Sequence, residues 1–347
     1  MEKEYLISIG ITTYDRLNFL KILVGELIIQ KQDNYEILIG NDFVEKKLTY
    51  EDLGINKASN IKIFNHSKNL GEYENLKFLF QNSSGDYFTW QFDDDCYSQN
   101  FLKFVRRSII NFRPDCIFCN YSFIYDDEKL DIKSVDKTPH AEKLSGAEFL
   151  KKFCKRLVPT MALTGVYKRS FIEKIGILPL ATEGKYALYS EYLLLLKSIN
   201  LESIIYCKEA LVFSRIHSGS FSVNNDESNY FYKAGVGFMR QALYILKSQD
   251  DGFKEEILLY FLRAVIRTNC IKTKISFSGI VKLYQINDEV FHLIGNNLLN
   301  KRAVRLLFKI KIVLWIITSA IYPQKWLSYL HKLKTKSFLS KILKPSF

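Results

Sequence analysis

Twelve residues, Gly85-Asp86-Tyr87-Phe88-Thr89-Trp90-Gln91-Phe92-Asp93-Asp94-Asp95-Cys96, limit what this chain can become. Phe88, Trp90 and Phe92 share one face of an apolar run of strand type, which stops at three carboxylates that cannot enter a core without partners. In an open α/β sheet, ligands bind outside the carboxyl ends of the strands, so acids placed there face the chemistry. Alternate acids such as Asp93 and Asp95 are hard oxygen donors suited to Mg²⁺ or Mn²⁺ that also holds a diphosphate. An acidic turn after a strand explains the same spacing, and the rest of the chain must separate the two readings.

Residues 6–11 form a buried-strand candidate, Thr12-Thr13-Tyr14-Asp15-Arg16 a polar loop, and Leu17, Leu20, Leu23 and Leu27 recur behind it at helical spacing. Residues 35–40 repeat the pattern and end in Asn41-Asp42. A third strand over 60–64 leads into a loop through His66, Lys68, Asn69 and Gly71, then a helix through Leu76 and Leu79. This alternation predicts a parallel sheet covered on both faces, with the loops at 13–16, 41–42 and 93–95 along one edge.

Further on, a helix near 101–111 and a strand over 115–125 are expected. Ser145-Gly146-Ala147-Glu148 has capping-box form and predicts a helix to about Leu157. A short strand over 164–167, helices over 171–175 and 189–199, and a strand pair over 204–216 follow. From about Asp226 the pattern is helical throughout. The chain therefore divides into a catalytic domain over 1–224, with a donor half of about 1–98 and an acceptor half of about 99–224, and a helical region over 225–347.

The net charge of +12 is placed unevenly: residues 301–347 hold eleven Lys or Arg and no Asp or Glu, leaving +1 for residues 1–300. Basicity is a property of the tail and says little about the site. The six cysteines are scattered, and the one Cys-x-x-Cys, Cys116 and Cys119, lies in an apolar run without the second pair a zinc site needs. Buried free thiols in a reducing cytoplasm are expected. The residues Met1-Glu2-Lys3-Glu4-Tyr5 lack the pattern of a signal peptide, and the apolar stretch 312–322 is too short to span a bilayer.

These motifs, in this order, resemble glycosyltransferase family 2, the inverting nucleotide-sugar transferases of GT-A fold, over roughly residues 5–222. The family's opening strand and Pro-Thr-Tyr-Asn-Arg loop are similar to Ile9-Gly10-Ile11-Thr12-Thr13-Tyr14-Asp15-Arg16. Its strand ending in Asp-Asp-Gly-Ser is similar to Ile37-Leu38-Ile39-Gly40-Asn41-Asp42, with Phe43-Val44 where Gly-Ser would stand. Asn69-Leu70-Gly71, Asn75, Gly85-Asp86-Tyr87 and Asp93-Asp94-Asp95 resemble the Asn-x-Gly, Gly-Glu/Asp-Tyr and Asp-x-Asp series.

The resemblance implies a fold and a set of roles. The fold is a GT-A α/β domain, a Rossmann-like mixed sheet, with a helical C-terminal extension. Asp42 binds the base of the nucleotide, with Thr13, Tyr14, Asp15 and Arg16 lining the same pocket; a carboxylate accepts from a ring N–H of uracil or guanine. Lys68, Asn69 and Gly71 lie against phosphate or ribose. Asp95 is the direct ligand of Mn²⁺ or Mg²⁺, Asp93 contacts ribose or reaches the metal through water, and Asp94 completes the acid turn. Ser190-Glu191 resembles the family's Glu-Asp pair at a helix start, which makes Glu191 the general base, with Glu183 as the alternative. Arg215-Ile216-His217 resembles the family's Arg-x-His segment, so His217 completes the metal shell or holds a phosphate oxygen, and Arg215 pairs with the diphosphate.

The expected reaction is transfer of a sugar from a nucleotide-diphospho-sugar, UDP-sugar first among them, to a saccharide hydroxyl. The tail alternates Arg305, Lys309 and Lys311 with Leu306, Phe308, Ile312 and Trp315, as an in-plane helix facing anionic lipid does; a helix packed on the catalytic domain is the alternative, and the lipid reading is followed. That places the enzyme at the cytoplasmic face of a membrane, acting on a lipid-linked acceptor in cell-surface polysaccharide or O-antigen synthesis. Nothing resembles a nucleic-acid module. Two rival classes are kept: a nucleotidyltransferase or phosphodiesterase using the same acids, which needs no base at Glu191, and a non-catalytic sugar-binding membrane protein.

Overall fold

The structure, a computed structural model, describes residues 4–57, 60–125, 139–176, 188–217 and 228–272. The loops at 126–138 and 178–186, Glu183, the boundary at Asn224 and the basic tail lie outside them.

Among the described residues one sheet of nine strands organises the fold, in the order β3-β2-β1-β4-β8-β6-β9-β5, with β7 paired to β9. β1 (Ile7–Thr13), β2 (Tyr35–Asn41), β3 (Ile61–Asn65) and β4 (Tyr87–Phe92) are mutually parallel, as the alternating pattern predicts. Thr13 stands opposite Asn41 and Thr12 opposite Phe92, so three polar loops leave the sheet along one edge. The second half departs from a purely parallel sheet. β8 (Val166–Lys168) runs antiparallel between β4 and β6 (Cys116–Tyr125), while β9 (Ile204–Ile216) is parallel to β6. Two reversals restore the direction, and the end of β9 therefore reaches the same edge as the end of β4.

Residues 204–216, expected as a strand pair, form the single strand β9. It bends where its register with β6 shifts at Asn120, and a bulge of this kind interrupts a periodic pattern without ending the strand. β5 (Cys96–Tyr97) and β7 (Ala141–Leu144) escape a periodicity reading because two and four residues carry no period; each exists by pairing with β9.

Both faces are covered. α1 (Leu17–Ile29) buries Leu20, Leu23, Val24 and Leu27 against Ile9, Ile11, Ile37 and Ile39, with α3 (Phe101–Phe112) beside it. On the other face, α2 (Glu72–Gln81) buries Leu76, Leu79 and Phe80, and the Trp90 indole N–H donates to the Leu76 carbonyl at 3.0 Å. Gly40 permits that approach: a Cβ there would lie 2.0 Å from Asn75 Oδ1, and Asn75 Nδ2 donates to the Gly40 carbonyl at 2.9 Å. α4 (Gly146–Cys154) carries the full capping box but ends three residues before Leu157, because Arg156 turns left-handed at φ 61°. α5 (Arg169–Lys174) follows β8, and α6 (Ser190–Lys197) continues as a 3₁₀ turn over Ser198–Asn200.

The chain forms two compact units, residues 1–225 with 240–261, and residues 226–239 with 262–347. α7 (Ser228–Ile245) and α8 (Asp251–Lys272) each supply residues to both. Within the first unit, Tyr260 packs on Phe153 and Phe261 on Tyr192, so part of the helical region belongs to the catalytic body.

One half-buried carboxylate sets a pH dependence. Glu26 of α1 accepts from the Tyr97 backbone N–H at 3.0 Å, and burial pushes its carboxyl up to about 7, against the pull of that bond and of Arg215. A folded-state pKa above the unfolded one makes stability fall as pH rises from about 4.5 to about 7, with the loss complete above that. The melting temperature is expected to fall between pH 5 and pH 8, and to fall less in Glu26→Gln, which keeps the acceptor oxygen. Equal slopes in the two proteins would remove Glu26 as the cause.

Candidate active site

The site is built where β1, β2, β4 and β9 end. Asp42 N–H donates to the Thr13 carbonyl at 3.0 Å, and Thr13 Oγ1 donates to Asp93 Oδ2 at 2.7 Å, which ties the three expected loops together.

Within the acid turn the three carboxylates have different neighbours. Asp93 is 3% exposed; besides Thr13 it accepts from the Tyr14 N–H at 3.4 Å and from Arg16 Nη1 at 3.2 Å. Burial and the adjacent Asp94 raise its carboxyl to about 6, with Arg16 and Thr13 pulling the other way. Asp95, expected as the direct metal ligand, is turned inward: it is 4% exposed, accepts from the Arg215 backbone N–H at 3.2 Å, and is held well above the usual carboxylate range by burial and Asp94. Asp94 faces outward. Its Oδ2 accepts from Arg16 Nη1 at 2.9 Å and lies 3.0 Å from His217 Nε2.

Arg215 braces this turn. Its Nε donates to the Asp94 carbonyl and its Nη2 reaches Cys96 Sγ, each at 3.2 Å, while the guanidinium lies over the Phe19 ring at 5.1 Å. His217 packs on the same ring, 5.2 Å between centroids. Asp15 is exposed at φ 53°, a left-handed conformation that Asp tolerates, and the turn places Arg16 over the acids.

Asp42 is 5% exposed and accepts from the Leu70 N–H at 3.0 Å; burial raises its carboxyl, opposed by Leu70 and by His66. His66 Nε2 in turn lies 3.1 Å from Asn75 Oδ1. Next to Asp42, Tyr14 and Phe43 make an edge-to-face pair at 5.5 Å, Tyr14 half exposed. Lys68 and Asn69 are exposed; the Asn69 side chain accepts from the Gly71 N–H at 2.8 Å and shapes the loop, with Gly71 at φ 78°.

Glu191 stands in the first turn of α6, behind Tyr189 at φ 59°, a conformation that costs an aromatic residue on the order of 1–3 kcal/mol. Its Oε1 accepts from the Ala162 N–H at 2.6 Å, and burial raises its carboxyl. Its relation to the acid turn is reported by Glu72, in the first turn of α2. Glu72 is raised to about 7, first by burial and then by the negative charges of Glu191 and Asp94. Glu72 thus feels the charge of both carboxylates.

The structure thus brings together Thr13, Tyr14, Arg16, Asp42, Asp93, Asp94, Asp95, Arg215 and His217, while Glu191 is held at the start of α6 by the Ala162 N–H. Asp15 and Lys68 stand outside on the exposed loops. Sequence reasoning passed over Glu72, Phe19, His66 and Ala162. Glu72 reads as an ordinary acid at a helix start, and its place directly after Asn69-Leu70-Gly71 is the only signal that marked it. Ala162 acts through its backbone, which no side-chain pattern reveals.

The fold is that of GT-A glycosyltransferases. TarS from S. aureus (residues 1–349), solved in complex with UDP-GlcNAc, superposes with a TM-score of 0.62 at 17% identity, over 84% of this chain and 82% of that one. Its complex with UDP gives a TM-score of 0.61 at 15% identity over the same shares. Residues 8–175 match the glycosyl transferase family 2 model, and an uncharacterized glycosyltransferase of Rickettsia typhi is 24% identical over 296 residues, 81% of this chain and 83% of its own length. Over residues 8–175 the chain is thus similar to the family 2 glycosyltransferases.

Proposed function

We propose that the protein is a metal-assisted inverting glycosyltransferase that moves a sugar from UDP to a saccharide hydroxyl, with donor and acceptor meeting in the hollow between Asp94 and Glu191. The observation that carries this reading is the convergence of Thr13, Arg16, Asp42 and the acid turn at one edge of the sheet. UDP is the chosen nucleotide because Asp42 can accept a uracil N–H while Tyr14 and Phe43 offer aromatic edges beside it, and because the TarS complexes hold UDP and UDP-GlcNAc.

The donor set suits a hard cation. Asp93 and Asp95 are buried on groups of the chain, whereas Asp94 is the most open of the three and has a second oxygen outside its contacts with Arg16 and His217, so Asp94 and His217 are the pair that would hold Mn²⁺ or Mg²⁺. Among the described residues no three His, Cys, Asp or Glu side chains form a ready cage, so diphosphate and water would supply the other ligands, as is usual for Mg²⁺. When bound, the cation supplies Lewis-acid neutralisation of the departing diphosphate. Arg16, already against Asp93 and Asp94, adds positive charge at the same end.

At the other end Glu191, fixed by the Ala162 N–H, takes the proton of the acceptor hydroxyl. The acceptor oxygen bonds to the anomeric carbon as the bond from that carbon to the phosphate oxygen breaks, and the proton stays on the Glu191 carboxylate. Differential scanning fluorimetry with UDP, with and without Mn²⁺, tests the donor half: stabilisation by UDP that grows with Mn²⁺ and vanishes with a chelator is expected. No response to UDP in either condition overturns the reading.

For the acceptor, the basic tail supports a lipid-linked saccharide in cell-surface polysaccharide synthesis such as O-antigen assembly, at the cytoplasmic face of a membrane. No helix among the described residues is long and apolar enough to cross a bilayer, so attachment would be peripheral. The intact chain should float with anionic liposomes and a chain ending at Asn300 should not; equal flotation removes the tail from the account.

A further inference from the structure

We propose that Phe123, oriented by Tyr121, is the surface on which the ring of the acceptor saccharide stacks. The inference rests on the glycosyl-transfer reading above and extends it to the acceptor, for which the motifs supply a base but no binding surface. Position comes first. β9 runs between β5 and β6: Cys96 and Ser122 both stand opposite Phe213, and Tyr97 and Tyr121 both opposite Val212. One residue further, Phe123 stands opposite Ser214 and Ile124 opposite Arg215, whose N–H holds Asp95 at 3.2 Å. Two strand spacings, about 10 Å, therefore separate the backbone of Phe123 from the acid turn. That span leaves the transferred sugar between a diphosphate at the acids and a second ring over β6.

The other side of β6 leads to the base. Among the described residues β6 pairs with β8 at Cys116 and Ile117 and no further. Beyond them the loop before β8 is pinned to the strand: Thr160 Oγ1 donates to the Cys119 carbonyl at 3.1 Å, and two residues on, the Ala162 N–H holds Glu191 at 2.6 Å. Tyr121 and Phe123 follow directly after that pin. The Tyr121 phenol, raised by burial and then by the Glu191 charge, agrees with this placement. Phe123 is 49% exposed, and its ring meets Tyr121 edge-to-face at 5.3 Å. The contact fixes the ring, so little further ordering is needed when a ligand lands on it. A pyranose has an apolar face of C–H groups inside a rim of hydroxyls; a flat aromatic ring covers the first and leaves the rim to Glu191 and water. The nucleobase reading belongs to Asp42, Tyr14 and Phe43 at the β1–β2 end of the sheet, and β6 carries no charged residue to draw a phosphate.

The test separates acceptor from nucleotide. Wild type, Phe123→Ala and Phe123→Tyr are titrated with UDP and Mg²⁺ by calorimetry, then with the methyl β-glycosides of glucose, galactose and N-acetylglucosamine by saturation-transfer NMR with irradiation of aromatic protons. UDP should bind all three proteins within about twofold, as expected of an exposed substitution, which also reports that each variant is folded. For the glycosides that wild type binds, Phe123→Ala should lose about tenfold, the scale of truncating an aromatic anchor, and transfer to the sugar C–H protons should fall with it. Phe123→Tyr should keep both. Equal glycoside binding by wild type and Phe123→Ala overturns the platform while the donor reading stands. So does wild type that binds UDP and none of the glycosides, because stacking asks only for the apolar face that all three share. Wild type that binds neither overturns the donor reading and this proposal together. A mass by light scattering that rises with concentration in wild type and not in Phe123→Ala assigns the ring to a second copy and also overturns the acceptor role.

Discussion

Glu191→Gln is expected to lower kcat by about 10²–10⁴-fold, the usual contribution of a positioned general base, while the KM for the donor stays within a few-fold. Glutamine retains the shape and keeps an oxygen for the Ala162 N–H, which holds Glu191 at 2.6 Å, so the change removes charge and leaves the anchor. The pH profile provides an independent check. Glu72 from α2, Tyr121 from β6 and Tyr167 from β8 all sense the Glu191 charge, and burial raises its carboxyl above the ordinary 4.5. A base works ionised, so kcat/KM should rise with pH through that raised value and fall away on the acid side sooner than an exposed glutamate would allow. A variant with wild-type kcat sends the role of base elsewhere, Glu183 first.

Asp94→Ala is expected to abolish the Mn²⁺-dependent part of UDP binding and to lower kcat/KM by about 10²–10³-fold, the scale of losing one preorganised electrostatic group. Asp94 earns this prediction because Arg16 and His217 converge on one of its oxygens. Asp95→Asn should act differently. Asp95 is buried on the Arg215 N–H, so its replacement should lower the melting temperature and leave the Mn²⁺ response of the folded enzyme in place. Fluorimetry and donor titration on the two variants decide the matter. Loss of the Mn²⁺ response in Asp95→Asn with its retention in Asp94→Ala would reverse the assignment.

The contrast between these neighbouring acids shows how far a sequence can be read. That β1, β2 and β4 would deliver Thr13, Asp42 and the acid triplet to one edge follows from continuous apolar runs broken by short polar loops, and the register Thr13 to Asn41 agrees. The capping box at Ser145 and Glu148 was equally legible, since both its hydrogen bonds are local. The antiparallel entry of β8 was not, because pairing direction depends on a connection whose path lies outside any window of residues.

Taken alone, the sequence determined which segments of the donor half are strands and that they run parallel, the edge on which the site opens and the residue types gathered there, because these follow from local periodicity and from where apolar runs stop. Only the tertiary structure decided which oxygens face outward. Asp94 rather than Asp95 meets His217, and Arg215 turns to brace the acids. The physical reason is that the direction of a side chain in a turn is set by its hydrogen-bond partners. Here those partners come from β9, the loop before α1 and the loop before β8, in most cases some seventy or more residues away along the chain.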